Sequence, residues 1–155
     1  MAAKKFERDG PEWRMFAEFW AICKLYWNPG PDMQLYWDQV HADTYMFAYE
    51  YRQVMMAKEL AEAIRCASAN KILTGHREPE DFSPESENQK AFAEFWIMVQ
   101  NYWVPEDNDL YWELIVDALT QLCCKYERIV SIIHYLATSF LVLQEKRLVA
   151  MSIGK

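Results

Sequence analysis

Hydrophobic positions fall at helical spacing almost from the start of the chain. Trp13, Phe16, Trp20, Cys23 and Trp27 alternate three- and four-residue steps. That places them on one face of a helix beginning near Pro11, a favoured first helical position, with Asp9 just ahead of it. Phe19, Ile22 and Tyr26 lie beside the stripe and leave a narrow polar strip around Arg14 and Glu18. The spacing returns in Phe92, Trp96, Val99 and Trp103, on a helix whose start near Ser83-Pro84 offers Ser83 as N-cap. Helices this apolar are expected at the centre of a fold.

Proline ends both helices, because it lacks a donor and restricts the residue before it. The first turn is Asn28-Pro29-Gly30-Pro31-Asp32 and the second Val104-Pro105-Glu106-Asp107-Asn108-Asp109. Asp32 and Asp107 then stand where N-caps belong, at the positive end of the next helix dipole. Met33 to Thr74 and Asn108 to Ile153 follow without Gly or Pro. A single helix of about forty residues would be about 60 Å long, too long for a compact domain of this size. Breaks are therefore expected near Tyr51–Gln53 and Tyr126–Arg128. Beyond them Val54, Ala57, Leu60, Ala61 and Ile64 make one apolar face. Ile129, Ile132, Ile133, Leu136, Phe140 and Leu143 make another.

The two runs are one pattern written twice. Phe16-Ala17-Glu18-Phe19-Trp20 recurs as Phe92-Ala93-Glu94-Phe95-Trp96. Tyr26-Trp27 matches Tyr102-Trp103, Pro29 matches Pro105, and Leu35-Tyr36-Trp37 matches Leu110-Tyr111-Trp112. The expected fold is all-α: a tandem duplication of a helix-turn-helix unit, about six helices packed as a pseudo-twofold bundle. Residues 1–10 read as a flexible N-terminus, 11–75 as repeat one, 76–84 as an acidic linker and 85–155 as repeat two. Either half alone, at about 65 residues, would be marginal, so the halves are expected to form one compact domain.

Composition narrows the function. The 155 residues are 52% hydrophobic and 25% charged, which is globular, and aromatics reach 15% with 7 Trp, which suits both a core and a contact patch. Net charge is -7 and Lys and Arg are scattered, so direct nucleic-acid binding is not expected; an acidic surface suits a basic protein partner or simple solubility. Cys23, Cys66, Cys123 and Cys124 include no C-x-x-C and read as reduced, buried apolar residues of a cytoplasmic protein. The charged stretch Met1 to Gly10 has no signal-peptide core, and Ile129 to Leu143 is too short and too interrupted to span a bilayer.

Catalytic chemistry finds no foothold. His41, His76 and His134 lack partners at metal-ligand spacing, and Glu18 and Glu94 lack a His three residues on. Nucleophile elbows and phosphate-binding glycine loops are missing, so no cofactor, metal or catalytic residue is assigned. Two features suit binding. Tyr45, Met46, Phe47, Tyr49, Tyr51, Met55 and Met56 are apolar nearly all round a helix, which fits a core or an interface. Glu78, Glu80 and Asp81, in the stretch to Glu87, fit a solvated linker or a dock for a basic partner. The candidate partner-binding residues are Tyr45, Tyr49, Met55, Met56, Glu78, Glu80 and Asp81.

The series Phe95-Trp96, Tyr102-Trp103, Pro105-Glu106-Asp107, Tyr111-Trp112 resembles a motif of small acidic helical proteins of phages and mobile elements in gut-type anaerobic bacteria. The match covers roughly residues 92 to 126; the first copy departs from it at Asn28-Pro29-Gly30-Pro31-Asp32. The resemblance implies a setting, and no functional residue is carried over from it. Together these readings point to a non-enzymatic, protein-binding accessory protein. The alternatives are an anti-defence inhibitor of a host nucleic-acid-binding enzyme, which is the sharper form, and a helical enzyme without known motifs.

Overall fold

Six α-helices carry the computed structural model, which describes residues 6–126 and 131–153. They are α1 (Pro11–Leu25), α2 (Met33–Glu50), α3 (Ala57–Thr74), α4 (Glu87–Asn101), α5 (Asp109–Lys125) and α6 (Ser131–Ile153). No strand occurs among the described residues, so the fold is all-α. Helices α1, α2, α4 and α5 all end on a tyrosine: Tyr26, Tyr51, Tyr102 and Tyr126. Each donates its backbone N–H to the carbonyl four residues back.

The breaks and caps refine the sequence reading. The expected break at Tyr51–Gln53 is real: α3 restarts only at Ala57, after Met56 takes a left-handed conformation at φ 84°. Tyr126 caps α5, while Arg128 of the second expected break lies outside the described residues. Asp32 caps α2, its carboxylate accepting from Leu35 N at 3.0 Å. The cap of α5 is Asn108 rather than Asp107, and the cap of α4 is Ser86 rather than Ser83. Ser83 is drawn into a turn whose carbonyl accepts both the N–H and the hydroxyl of Ser86. Ser86 Oγ is thereby aimed at Gln89 N, 3.1 Å away.

Burial recurs at matching intervals within pairs of helices. Tyr36, Val40, Thr44 and Phe47 are buried in α2; Tyr111, Ile115, Leu119 and Leu122 are buried at the same intervals in α5. Ala57, Leu60, Ala61, Ile64 and Ala67 in α3 correspond in the same way to Ile133, Leu136, Ala137, Phe140 and Leu143 in α6. Helices α3 and α6 pack most extensively on each other at the centre, where the alanines of α3 let the backbones approach.

Helices α1 and α4 meet differently. No Cα pair between them comes within 8 Å; rings span the gap, together with a hydrogen bond from Trp20 Nε1 to Gln89 Oε1 at 3.2 Å. Phe16 stacks on Trp96 and Phe92 lies tilted against Trp20, each at 3.9 Å between centroids. The stripe drawn through Trp13 shifts accordingly: Met15, Phe19 and Cys23 form the buried line of α1, while Trp13 is exposed. The arms ahead of these helices cross over as well. Phe6 sits 5.0 Å from both Trp96 and Trp103, and Phe82 sits 5.6 and 5.2 Å from Trp20 and Trp27. The stretch read as a flexible N-terminus is therefore anchored from residue 6, where burying a phenylalanine outweighs the freedom of a tail.

Candidate protein-interaction site

Most polar groups near the tryptophans serve the interior. Tyr36 donates its hydroxyl to Tyr26 O at 2.8 Å, and Tyr111 does the same to Tyr102 O at 2.8 Å. Lys71 reaches the Trp27 carbonyl with its ammonium 4.6 Å from that indole; Arg147 reaches the Trp103 carbonyl at the same distance from its own indole. These contacts satisfy carbonyls that the proline turns strip of helical partners. The repeated glutamate lies beside a helix-ending tyrosine each time, Glu18 by Tyr51 and Glu94 by Tyr126, but its charged neighbour differs: Glu50 for Glu18 and Lys125 for Glu94. Burial, with Glu18 beside it, pushes the Tyr51 phenol up to about 12.

The acidic candidates are largely structural. Glu78 is fully buried, 3.9 Å from Lys71, and its backbone exchanges hydrogen bonds with the Asn28 side chain at 2.8 and 2.9 Å. It is out of reach of any partner. Glu80 accepts from Asn28 at 3.1 Å, and Asp81 accepts from Ser83 N at 3.1 Å; both remain exposed.

The aromatic candidates converge. Tyr45, Tyr49, Met55 and Met56 line one groove of about 440 Å³ where the end of α2 meets the start of α3. Phe47 and Met56 belong to the core, at 2% exposure each, whereas Tyr45 is 71% and Tyr49 59% exposed, with Met46 and Met55 also exposed. The cluster is thus divided between core and surface, by residue rather than as a block. Sequence reasoning did not place Arg52 and Lys58 in the groove. Arg52 lies over the Tyr49 ring at 4.4 Å and donates to Tyr49 O at 2.8 Å, which holds the ring outward. The visible signal was two cations flanking the Met pair. Glu59 also lines the groove, with one carboxylate oxygen wholly inside the protein.

The exposed rings of the groove have no counterparts at corresponding positions of α5. Where α2 carries Tyr45, Met46 and Tyr49, α5 carries Thr120, Gln121 and Cys124. The cysteines differ from expectation in burial: Cys23 is buried, Cys123 half-buried, and Cys66 and Cys124 exposed, because the last two face away from the neighbouring helices. All four are free. Burial raises the thiol pKa of Cys23 well above its ordinary value. Among the described residues no group of three or more His, Cys, Asp or Glu could hold a metal ion, and no helix is long and apolar enough to cross a membrane. No protein-family model, curated protein or solved structure matches the chain.

Proposed function

We propose that this chain is a non-enzymatic, cytoplasmic protein-binding accessory protein of a phage or mobile element, a duplicated helical unit folded about a pseudo-twofold axis. The observation that carries the reading is the exposed Tyr45, Tyr49 and Met55 surface at the α2–α3 corner. Apolar rings in water have a cost that folding of this unit does not require, since α5 keeps the same buried register without them. Tyr and Met are also what adaptable contact surfaces use. Supporting the duplication are the reciprocal contacts, Phe16 on Trp96 with Phe92 on Trp20, and the crossed arms of Phe6 and Phe82. A self-complementary interface has that form, in which i touches j′ and j touches i′.

The test is photo-crosslinking. A benzophenone side chain placed at Tyr45 or Tyr49 in host lysate is expected to trap one stoichiometric partner that the same group at Thr120 does not. Absence of an adduct at the corner, or equal adducts at Thr120, overturns the reading.

A second reading, the acidic anti-defence inhibitor, draws on Asp109, Glu113 and Asp117, exposed at four-residue steps along α5. Such a ridge suits a channel made for phosphates. It predicts that the purified chain abolishes cleavage by a host nuclease, and that charge reversal of the ridge restores it.

A further inference from the structure

The corner groove continues along the helix. Met33, Trp37, His41, Tyr45 and Tyr49 follow one another every four residues on α2, and all five are exposed or half-buried. Trp37 and His41 touch edge to face at 4.4 Å. The row starts at a second apolar groove of about 340 Å³, lined by Met33, Trp37, Ile72 and Leu73, and ends at the first. Residues four apart form the ridge that a packed helix offers to the grooves of another helix. Sixteen residues of rise make this ridge about 24 Å long, the reach of a partner helix of roughly the same length.

Charge decides what kind of helix. The chain as a whole is at -7, which suggested a basic partner. The groove departs from that average. Its exposed charges are Arg52 and Lys58, while Glu59, its one acid, has an oxygen withdrawn into the protein. Along α2 the exposed charges beside the ridge are Asp38 and Glu50, so the cationic character is confined to the corner; there two cations beside exposed rings complement carboxylates and repel a lysine-rich segment.

We infer that the α2 ridge and corner groove receive an acidic amphipathic helix of another protein, with apolar side chains over Tyr45, Tyr49 and Met55 and carboxylates against Arg52 and Lys58. This rests on the protein-binding reading above and specifies the partner's chemistry.

The probe is a pair of labelled synthetic helices of about eighteen residues, sharing leucines and phenylalanines at i, i+3, i+4 and i+7. One carries Glu on its other faces and its twin carries Lys. Anisotropy titrations with the full chain are expected to show saturable binding of the Glu helix, at least about tenfold tighter than that of the Lys helix and weakened by salt. Arg52→Glu with Lys58→Glu is expected to reverse the preference, and Tyr45→Ser with Tyr49→Ser to remove binding of both helices. Equal binding of the twins, preference for the Lys helix, or no binding of either overturns the inference. Self-association that the two Tyr→Ser changes abolish assigns the ridge to a second copy and overturns it too. A crosslinked partner with a basic contact face leaves the protein-binding reading standing while this inference falls.

Discussion

Residues 6–75 and 76–153 solve the same structural problem with different chemistry. In the first stretch the Trp27 carbonyl is met by Lys71, which is 4% exposed and shares its site with the buried carboxylate of Glu78. In the second the Trp103 carbonyl is met by Arg147, with Gln144 donating to Trp103 O at 3.0 Å and to Tyr111 OH at 3.0 Å. One joint depends on a buried ion pair; the other on a neutral amide and a half-exposed guanidinium. The surfaces diverge in the opposite sense, with exposed rings on α2 and exposed acids on α5. At these joints corresponding positions carry different groups, and the exposed rings Tyr45 and Tyr49 of α2 stand where α5 has Thr120 and Cys124. An interior tolerates exchange that preserves volume and satisfied polar groups, whereas surface identity follows what touches it.

The sharpest way to break this comparison is to remove the cations. Lys71→Met is expected to lower stability in urea by about 3–5 kcal/mol, because it takes the ammonium away from the buried Glu78 carboxylate. Arg147→Met strands no buried charge, and about 1–3 kcal/mol is expected. Equal losses would mean that the two joints work alike. Phe6→Ala is expected to cost about 3 kcal/mol, near the low end for emptying a phenylalanine site. A change under about 0.5 kcal/mol would show that the arm adds nothing. At Met56, alanine loses the buried side chain and keeps the left-handed strain, while glycine loses the side chain and relieves the strain. Met56→Gly is therefore expected to be about 1 kcal/mol more stable than Met56→Ala.

Smaller effects separate surface from interior. Tyr45→Ser with Tyr49→Ser is expected to move stability by no more than about 0.5 kcal/mol per site while weakening partner binding by about 30-fold or more. A large fall in Tm would return these rings to the core. The least effect concerns Glu50, whose counterpart Lys125 pairs with Glu94 at 2.6 Å. Desolvation, then the neighbouring Glu18 carboxylate, raises the Glu50 pKa above 4.5. The folded state thus holds that proton more tightly than the unfolded chain, and this group's contribution to stability falls as pH rises through the raised pKa. Glu50→Lys is expected to raise Tm slightly at pH 7, with the gain shrinking below that window. A pH-independent gain would point to another cause.

Much of the fold was legible because its signals are local. Prolines close α1 and α4, and the aromatic steps give their period. The length argument located the break at Tyr51 although no glycine or proline marks it. The third helix of each half stayed hidden as a match, because Ser68 and Lys71 correspond to Gln144 and Arg147 by position and by the groups they satisfy but not by residue type. Phe6 and Phe82 each precede a repeated pentapeptide by ten residues, yet they sit in charged surroundings that read as tail and linker. Of the candidate site, the aromatic half was legible from apolarity in excess of one core face. Glu78 was misjudged because only tertiary structure brings Lys71 over it. Arg52 and Lys58 gained meaning only when α2 and α3 met at an angle.

The crossed arms bear on what happens if the backbone is cut. Gly75 and His76 are both exposed, and three residues just beyond them hold the other side: Arg77 donates to Pro29 O at 2.8 Å, Pro79 O accepts from Trp27 Nε1 at 3.0 Å, and Phe82 meets Trp20. A protease nicking the 75–76 bond would leave two pieces that each hold the other by a phenylalanine hook. Fragments produced separately would then find one another and reassemble, making this bond a natural place to split the protein into a complementing pair.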